Sequence, residues 1–152
     1  MKVISRVFSC LLLFNSFPLT AHAGDLQITH AWVADAPPVA SVRAGYMTIK
    51  NTSNKEQIIV AVTSSDFSNV SFHQTVVRDS MVFMNAMHQF IIPAHDELKL
   101  QPGSYHLMLF KARKKLTPGN FIDITLRTKK GQTINTQAPI KKIEYKPSTH
   151  NN

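Results

Sequence analysis

The sequence predicts an all-β sandwich or barrel of eight or nine strands, and three observations carry that expectation. Short runs of alternating or β-branched residues recur between clusters of Pro, Gly, Asn and Ser. No stretch of about 11 residues keeps apolar positions at helical spacing without a Pro or Gly, so no long helix is expected. A length of 152 residues, 43% hydrophobic and 17% charged, suits one folded domain and argues against a disordered chain.

The first 23 residues stand apart from that pattern. Lys2 and Arg6 form a short positive region, an apolar run extends from Val7 to Phe14 and on to Leu19, and Ala21-His22-Ala23 supplies small residues before a cleavage site. This is the organisation of a secretory signal peptide cleaved after Ala23. Asn15, Ser16 and Pro18 interrupt the run, leaving it short of the roughly 20 apolar residues a membrane span needs, so no transmembrane segment is expected after cleavage.

Nine strands follow. Leu26 to Ala34 and Ala44 to Lys50 alternate around the Ala36-Pro37-Pro38 break, with a short helical turn expected near Val39 to Val42. Gln57 to Thr63 is rich in Ile and Val after the turn at Asn51 to Lys55. Val70 to Val77 and Met81 to Met84 flank Asp79-Ser80 and read as a hairpin. Glu97 to Leu100 and Tyr105 to Phe110 flank Pro102-Gly103-Ser104. Phe121 to Thr128 and Thr133 to Ile140 close the domain around Lys129-Lys130-Gly131. The folded domain is expected over residues 24–146, with 147–152 a frayed tail. Period-two alternation points Leu26, Ile28, Ile58, Val60, Val62, Ile122, Ile124 and Leu126 inward, with Trp32, Tyr46, Phe72 and Phe121 adding bulk.

Composition then removes whole classes of chemistry. The chain carries +8 at neutral pH, and without residues 1–23 it has 15 basic against 9 acidic residues, net +6. The single cysteine, Cys10, leaves with the signal peptide. An exported domain without thiols has no Cys nucleophile, no Cys-ligated zinc, no disulfide framework and no blue-copper centre. Any soft metal must be held by His and Met.

Packing leaves six histidines (His30, His73, His88, His95, His106, His150) and five methionines (Met47, Met81, Met84, Met87, Met108) to account for. Strand parity sets His106 and Met108 on the face opposite Tyr105, Leu107 and Leu109, about 6.6 Å apart along the strand. Parity likewise leaves His73 with Ser71 and Thr75, away from Val70, Phe72 and Val76, and a hairpin at Asp79-Ser80 returns Met84 towards His73. Met47 reads as core, His30 as a strand residue and His95 as a turn residue. Met81, Met87 and His88 flank Met84 and read as surface or hairpin residues, with outer ligands or a metal access route as the alternative.

The spacing of His73, Met84, His106 and Met108, with ten, twenty-one and one residues between them, resembles the pattern of the periplasmic copper chaperone family PCuAC. Ala31-Trp32-Val33, Pro37-Pro38, Gly45-Tyr46-Met47-Thr48-Ile49-Lys50-Asn51 and Leu100-Gln101-Pro102-Gly103-Ser104-Tyr105-His106-Leu107-Met108-Leu109 extend the likeness over Leu26 to Ile140. Ser104 stands where relatives often have a second Gly, and Arg43 arrives later than the family's usual arginine. The resemblance implies a cupredoxin-like Greek-key β-sandwich that binds one Cu(I) through those four side chains. It also implies a periplasmic role in carrying copper to a cytochrome oxidase subunit or another thiol-bearing acceptor.

The alternatives are weaker. No Gly-x-Ser-x-Gly elbow or His-Glu-x-x-His appears, so an enzyme is not expected. Aromatic residues do not interleave with the basic ones, which argues against nucleic acid as a partner. Lys111 to Lys115 and Lys141-Lys142 read as solvated faces; the alternative is electrostatic docking to an acidic acceptor or anionic lipid, in which Lys111 to Lys115, following the Met108 strand, would rim the metal site. The remaining alternative is an exported partner-binding or adhesion module in which the His and Met residues are incidental.

Overall fold

The computed structural model describes residues 24–37 and 39–143; the expected signal peptide, Cys10, His150 and the tail lie outside them. Ten strands follow one another: β1 (Leu26–Ala34), β2 (Val42–Asn51), β3 (Gln57–Thr63), β4 (Phe67–Arg78), β5 (Met81–Met87), β6 (Phe90–Ile92), β7 (Glu97–Leu100), β8 (Tyr105–Ala112), β9 (Phe121–Thr128) and β10 (Thr133–Lys141). The strand missing from the sequence reading is β6, three residues running into Pro93, too short for a period-two pattern to register. No helix occurs among the described residues; where a helical turn was expected, Ala40 N–H bonds the Pro37 carbonyl at 2.9 Å and the chain enters β2 directly.

Hydrogen bonding links all ten strands in the order β5-β4-β8-β7-β2-β1-β10-β9-β3-β6, with β8 also pairing β2. The sheet does not close into a barrel, because β5 and β6 remain its two edges. It folds over one core instead. Phe72 of β4 meets Phe90 of β6 at 4.7 Å between ring centroids, and Phe90 meets Tyr105 of β8 at 5.3 Å, although these strands are far apart in sheet order. Leu107, Leu109, Ile122 and Ile124 are buried among Val33, Met47, Ile49 and Ile59, so each arm of the sheet contributes an inward face.

Two bulges explain where period-two reading failed. In β3 the register shifts between Ile59 and Ala61, so Ile59 and Val62 are buried while Ile58 and Val60 are only partly covered. In β1 the shift lies between Thr29 and Trp32, and His30 takes a positive φ of 54° there. Phe121, expected to add bulk, begins β9 and is 57% exposed. Met47 is buried, as expected.

Candidate metal centre

Strands β4, β5 and β8 lie side by side at one edge of the sheet, and the site is built on their outer face. Alternation does the work: Val70 and Phe72 of β4 and Leu107 and Leu109 of β8 face the core, which turns Ser71, His73, Thr75, His106 and Met108 the other way. The register makes neighbours of them. His73 lies directly opposite His106, and Ser71 opposite Met108. Across the hairpin, Thr75 lies opposite Met84 and His73 opposite Ala86, so Met84 is a diagonal neighbour of His73 on the same face. All four residues singled out by spacing therefore share one surface.

The Asp79-Ser80 link is a two-residue loop between the paired Arg78 and Met81, and both loop residues have positive φ, 49° and 62°. That is the backbone of a type I′ hairpin turn. At the same end of β4, Gly103 at φ 78° turns the chain into β8 and brings the Ser104 carbonyl beside Thr75. This carbonyl accepts two hydrogen bonds of 3.0 Å, from Thr75 N–H and from the His106 ring at Nδ1. A carbonyl can only accept, so His106 carries its proton on Nδ1 and presents a lone pair at Nε2.

The two imidazoles are 5.9 Å apart between ring centroids with planes 27° from parallel. His106 is 5% exposed, His73 is half-buried and Met84 is 60% exposed. The Nε2 of His73 bonds Ser71 Oγ at 2.9 Å, while its buried Nδ1 has no hydrogen-bond partner. Burial, and behind it the neighbouring His106, holds the His73 pKa below its ordinary 6.5, which favours the neutral ring that a metal needs. A metal bonds an imidazole in the plane of its ring, through a nitrogen lone pair at about 2.0 Å. Among the described residues no group of three or more His, Cys, Asp or Glu comes together to hold a metal. A metal centre here therefore depends on the thioethers.

Other sequence candidates fall elsewhere. Met81 and Met87 pair with Arg78 and Phe72, which puts them on the opposite face of the hairpin from His73. His88 follows the end of β5 and is exposed. His95 occupies a turn at φ 59° and bonds Asn54 Oδ1 at 2.6 Å. The basic run does not rim the site: Lys114 pairs with Asp66 at 2.6 Å and Arg113 Nε donates to the Phe67 carbonyl at 3.1 Å, both at the far end of β4. Arg43 is a structural residue, ion-paired with Asp35 at 2.9 Å and donating to carbonyls of Ala34, Ala36 and Leu116. The sequence reading had Ser71 on the right face but not its bond to His73; the i, i+2 spacing was the available signal.

Solved structures share this architecture. The chain is similar to DR1885 of Deinococcus radiodurans, solved with Cu(I), at 31% identity and a TM-score of 0.62, covering 80% of this chain and 83% of that one. It also superposes on the copper-bound PCuAC domain from PmoF2 with a TM-score of 0.67, covering 79% of this chain and 95% of that one; at 21% identity this likeness speaks for the fold alone. The class is thus a cupredoxin-like β domain of the PCuAC type. The chain belongs to the LpqE-like family, whose model, described as "Putative lipoprotein LpqE-like", matches residues 26–140. Lxx21020 of Leifsonia xyli subsp. xyli, which carries the same lipoprotein label, is 35% identical over 120 residues, 78% of this chain and 71% of its own length.

Proposed function

We propose that this protein is an exported carrier of Cu(I) that holds one ion per chain between His73, Met84, His106 and Met108 and passes it to a thiol-bearing acceptor. The copper centres of respiratory cytochrome oxidase are the destination that the family resemblance implies. One observation carries the reading: two imidazoles pair directly across β4 and β8 on a face that also bears two thioethers and no carboxylate. Thioethers select soft, d10 Cu(I), whereas calcium or magnesium would require clustered oxygen ligands.

A neutral donor set suits a carrier. It holds the ion without any protein charge, so an acceptor offering a thiolate gains an electrostatic advantage and wins the metal by ligand exchange. The exposure of Met84 leaves one ligand where an incoming sulfur can displace it. The copper-bound state of DR1885 supports the choice of metal. The family's lipoprotein label and the expected signal peptide support an exported, periplasmic location. Among the described residues no helix is long and apolar enough to cross a membrane.

The test is an anaerobic Cu(I) titration of the purified protein against a competing chelator, repeated with Met84→Ala and His106→Ala. One equivalent bound by the native protein and weakened in both variants is the expected result. No binding by the native protein would sink the carrier reading and leave the partner-binding module in its place.

A further inference from the structure

Resting on the carrier reading, the geometry points to Ser71 as a positioning residue that decides which nitrogen of His73 meets copper. We infer that the Ser71 hydroxyl holds His73 in its Nε2–H form, so that the buried Nδ1 lone pair is the copper-binding atom. The two imidazoles of the site then present different nitrogens, Nδ1 from His73 and Nε2 from His106.

The argument is an accounting of ring nitrogens. At His106 the Ser104 carbonyl occupies Nδ1 and leaves Nε2 open. At His73 the roles are exchanged: Nε2 is engaged by Ser71 Oγ at 2.9 Å, and Nδ1 is buried without a partner. Ser71 Oγ is able to donate or accept. Were it the donor, Nδ1 would carry a buried proton with nothing to receive it, the rarer kind of orphan. With Ser71 as acceptor, the unpartnered atom is instead a lone pair, which is what a metal satisfies.

The register favours the same role. Ser71 sits two residues before His73 on the same face of β4 and directly opposite Met108, so it neighbours one proposed ligand along the strand and another across it. It fixes the ring from the side away from Thr75 and Met84. Partners of this kind typically change metal affinity about 10–100-fold when removed, because the ring loses its preferred tautomer and orientation.

The experiment combines long-range proton–nitrogen NMR of the histidine rings with the Cu(I) competition titration, on the native protein, Ser71→Ala and Ser71→Thr. In the metal-free native protein His73 is expected as the Nε2–H tautomer. Ser71→Ala should lose that fixed tautomer and bind Cu(I) about 10–100-fold more weakly, while Ser71→Thr, which keeps a hydroxyl, should restore both. On adding Cu(I), the nitrogen resonances that move most should be Nδ1 of His73 and Nε2 of His106. An unchanged tautomer and affinity in Ser71→Ala, or copper carried by Nε2 of His73, overturns this inference while leaving the carrier reading intact. A native protein that binds no Cu(I) overturns the carrier reading and the copper role of Ser71 together, whatever the metal-free tautomer.

Discussion

His73 and His106 face each other as a direct cross-strand pair between β4 and β8, their ring centroids 5.9 Å apart. The pairing is a product of register. A slip of one residue between these strands would turn one of the two rings to the core, so the packing of Phe72 against Leu107 also sets the geometry of the outer face.

Met84 separates binding from folding. With its side chain 60% exposed, Met84→Ala should leave unfolding free energy within about 0.5 kcal/mol of native while weakening Cu(I) binding at least tenfold. Leu107→Ala, on a fully buried residue beside His106, should cost about 2–5 kcal/mol and should be read by chemical denaturation. Equal stability losses in the two variants would contradict the outer-face placement of Met84.

The hairpin turn invites the opposite kind of change. Asp79 and Ser80 both adopt left-handed backbone conformations without being glycine. Ser80→Gly should raise stability by about 1 kcal/mol, since the residue no longer bears the steric cost of its Cβ. Thermal unfolding measures this, and a loss of stability would show that the turn is not of type I′.

Gly45 tests the packing behind the site. It pairs with Leu107, and a Cβ built there would lie 2.9 Å from Cδ1 of the buried Leu109 and 3.4 Å from Cβ of Leu107. Gly45→Ala should therefore destabilise by about 1–3 kcal/mol through overpacking. A neutral or stabilising result would mean that Leu109 has room to move.

Acid should act on the metal-free protein through His73. Its folded pKa lies below 6.5, lowered by burial first and the adjacent His106 second. Below 6.5 the unfolded chain takes up a proton that the folded ring still refuses, so the unfolded state binds more protons. The stability contributed by the neutral ring is complete above 6.5 and is lost as the pH falls through the lower, folded pKa. Denaturation midpoints across this range should decline less steeply in His73→Gln than in the native protein.

Much of this was legible in the residues because a strand declares its faces every second position. The His73 and His106-Met108 faces, the Asp79-Ser80 hairpin and the return of Met84 all followed from parity and turn chemistry. Bulges were not legible: one extra residue in β3 exchanged Ile58 and Val60 for Ile59, and nothing in a run of Ile and Val marks where that occurs. The placement of Lys114 and Arg113 depended on Asp66, an acid distant in sequence, which local spacing does not reveal. The Ser71 bond depended on a rotamer, which sequence does not specify.

The most direct test of the central claim is methionine-methyl NMR during an anaerobic Cu(I) titration. The methyl resonances of Met84 and Met108 should both shift and saturate together at one equivalent, while buried Met47 and the opposite-face Met81 and Met87 stay in place. Saturation that leaves either Met84 or Met108 unmoved would contradict a centre that joins the hairpin to β8.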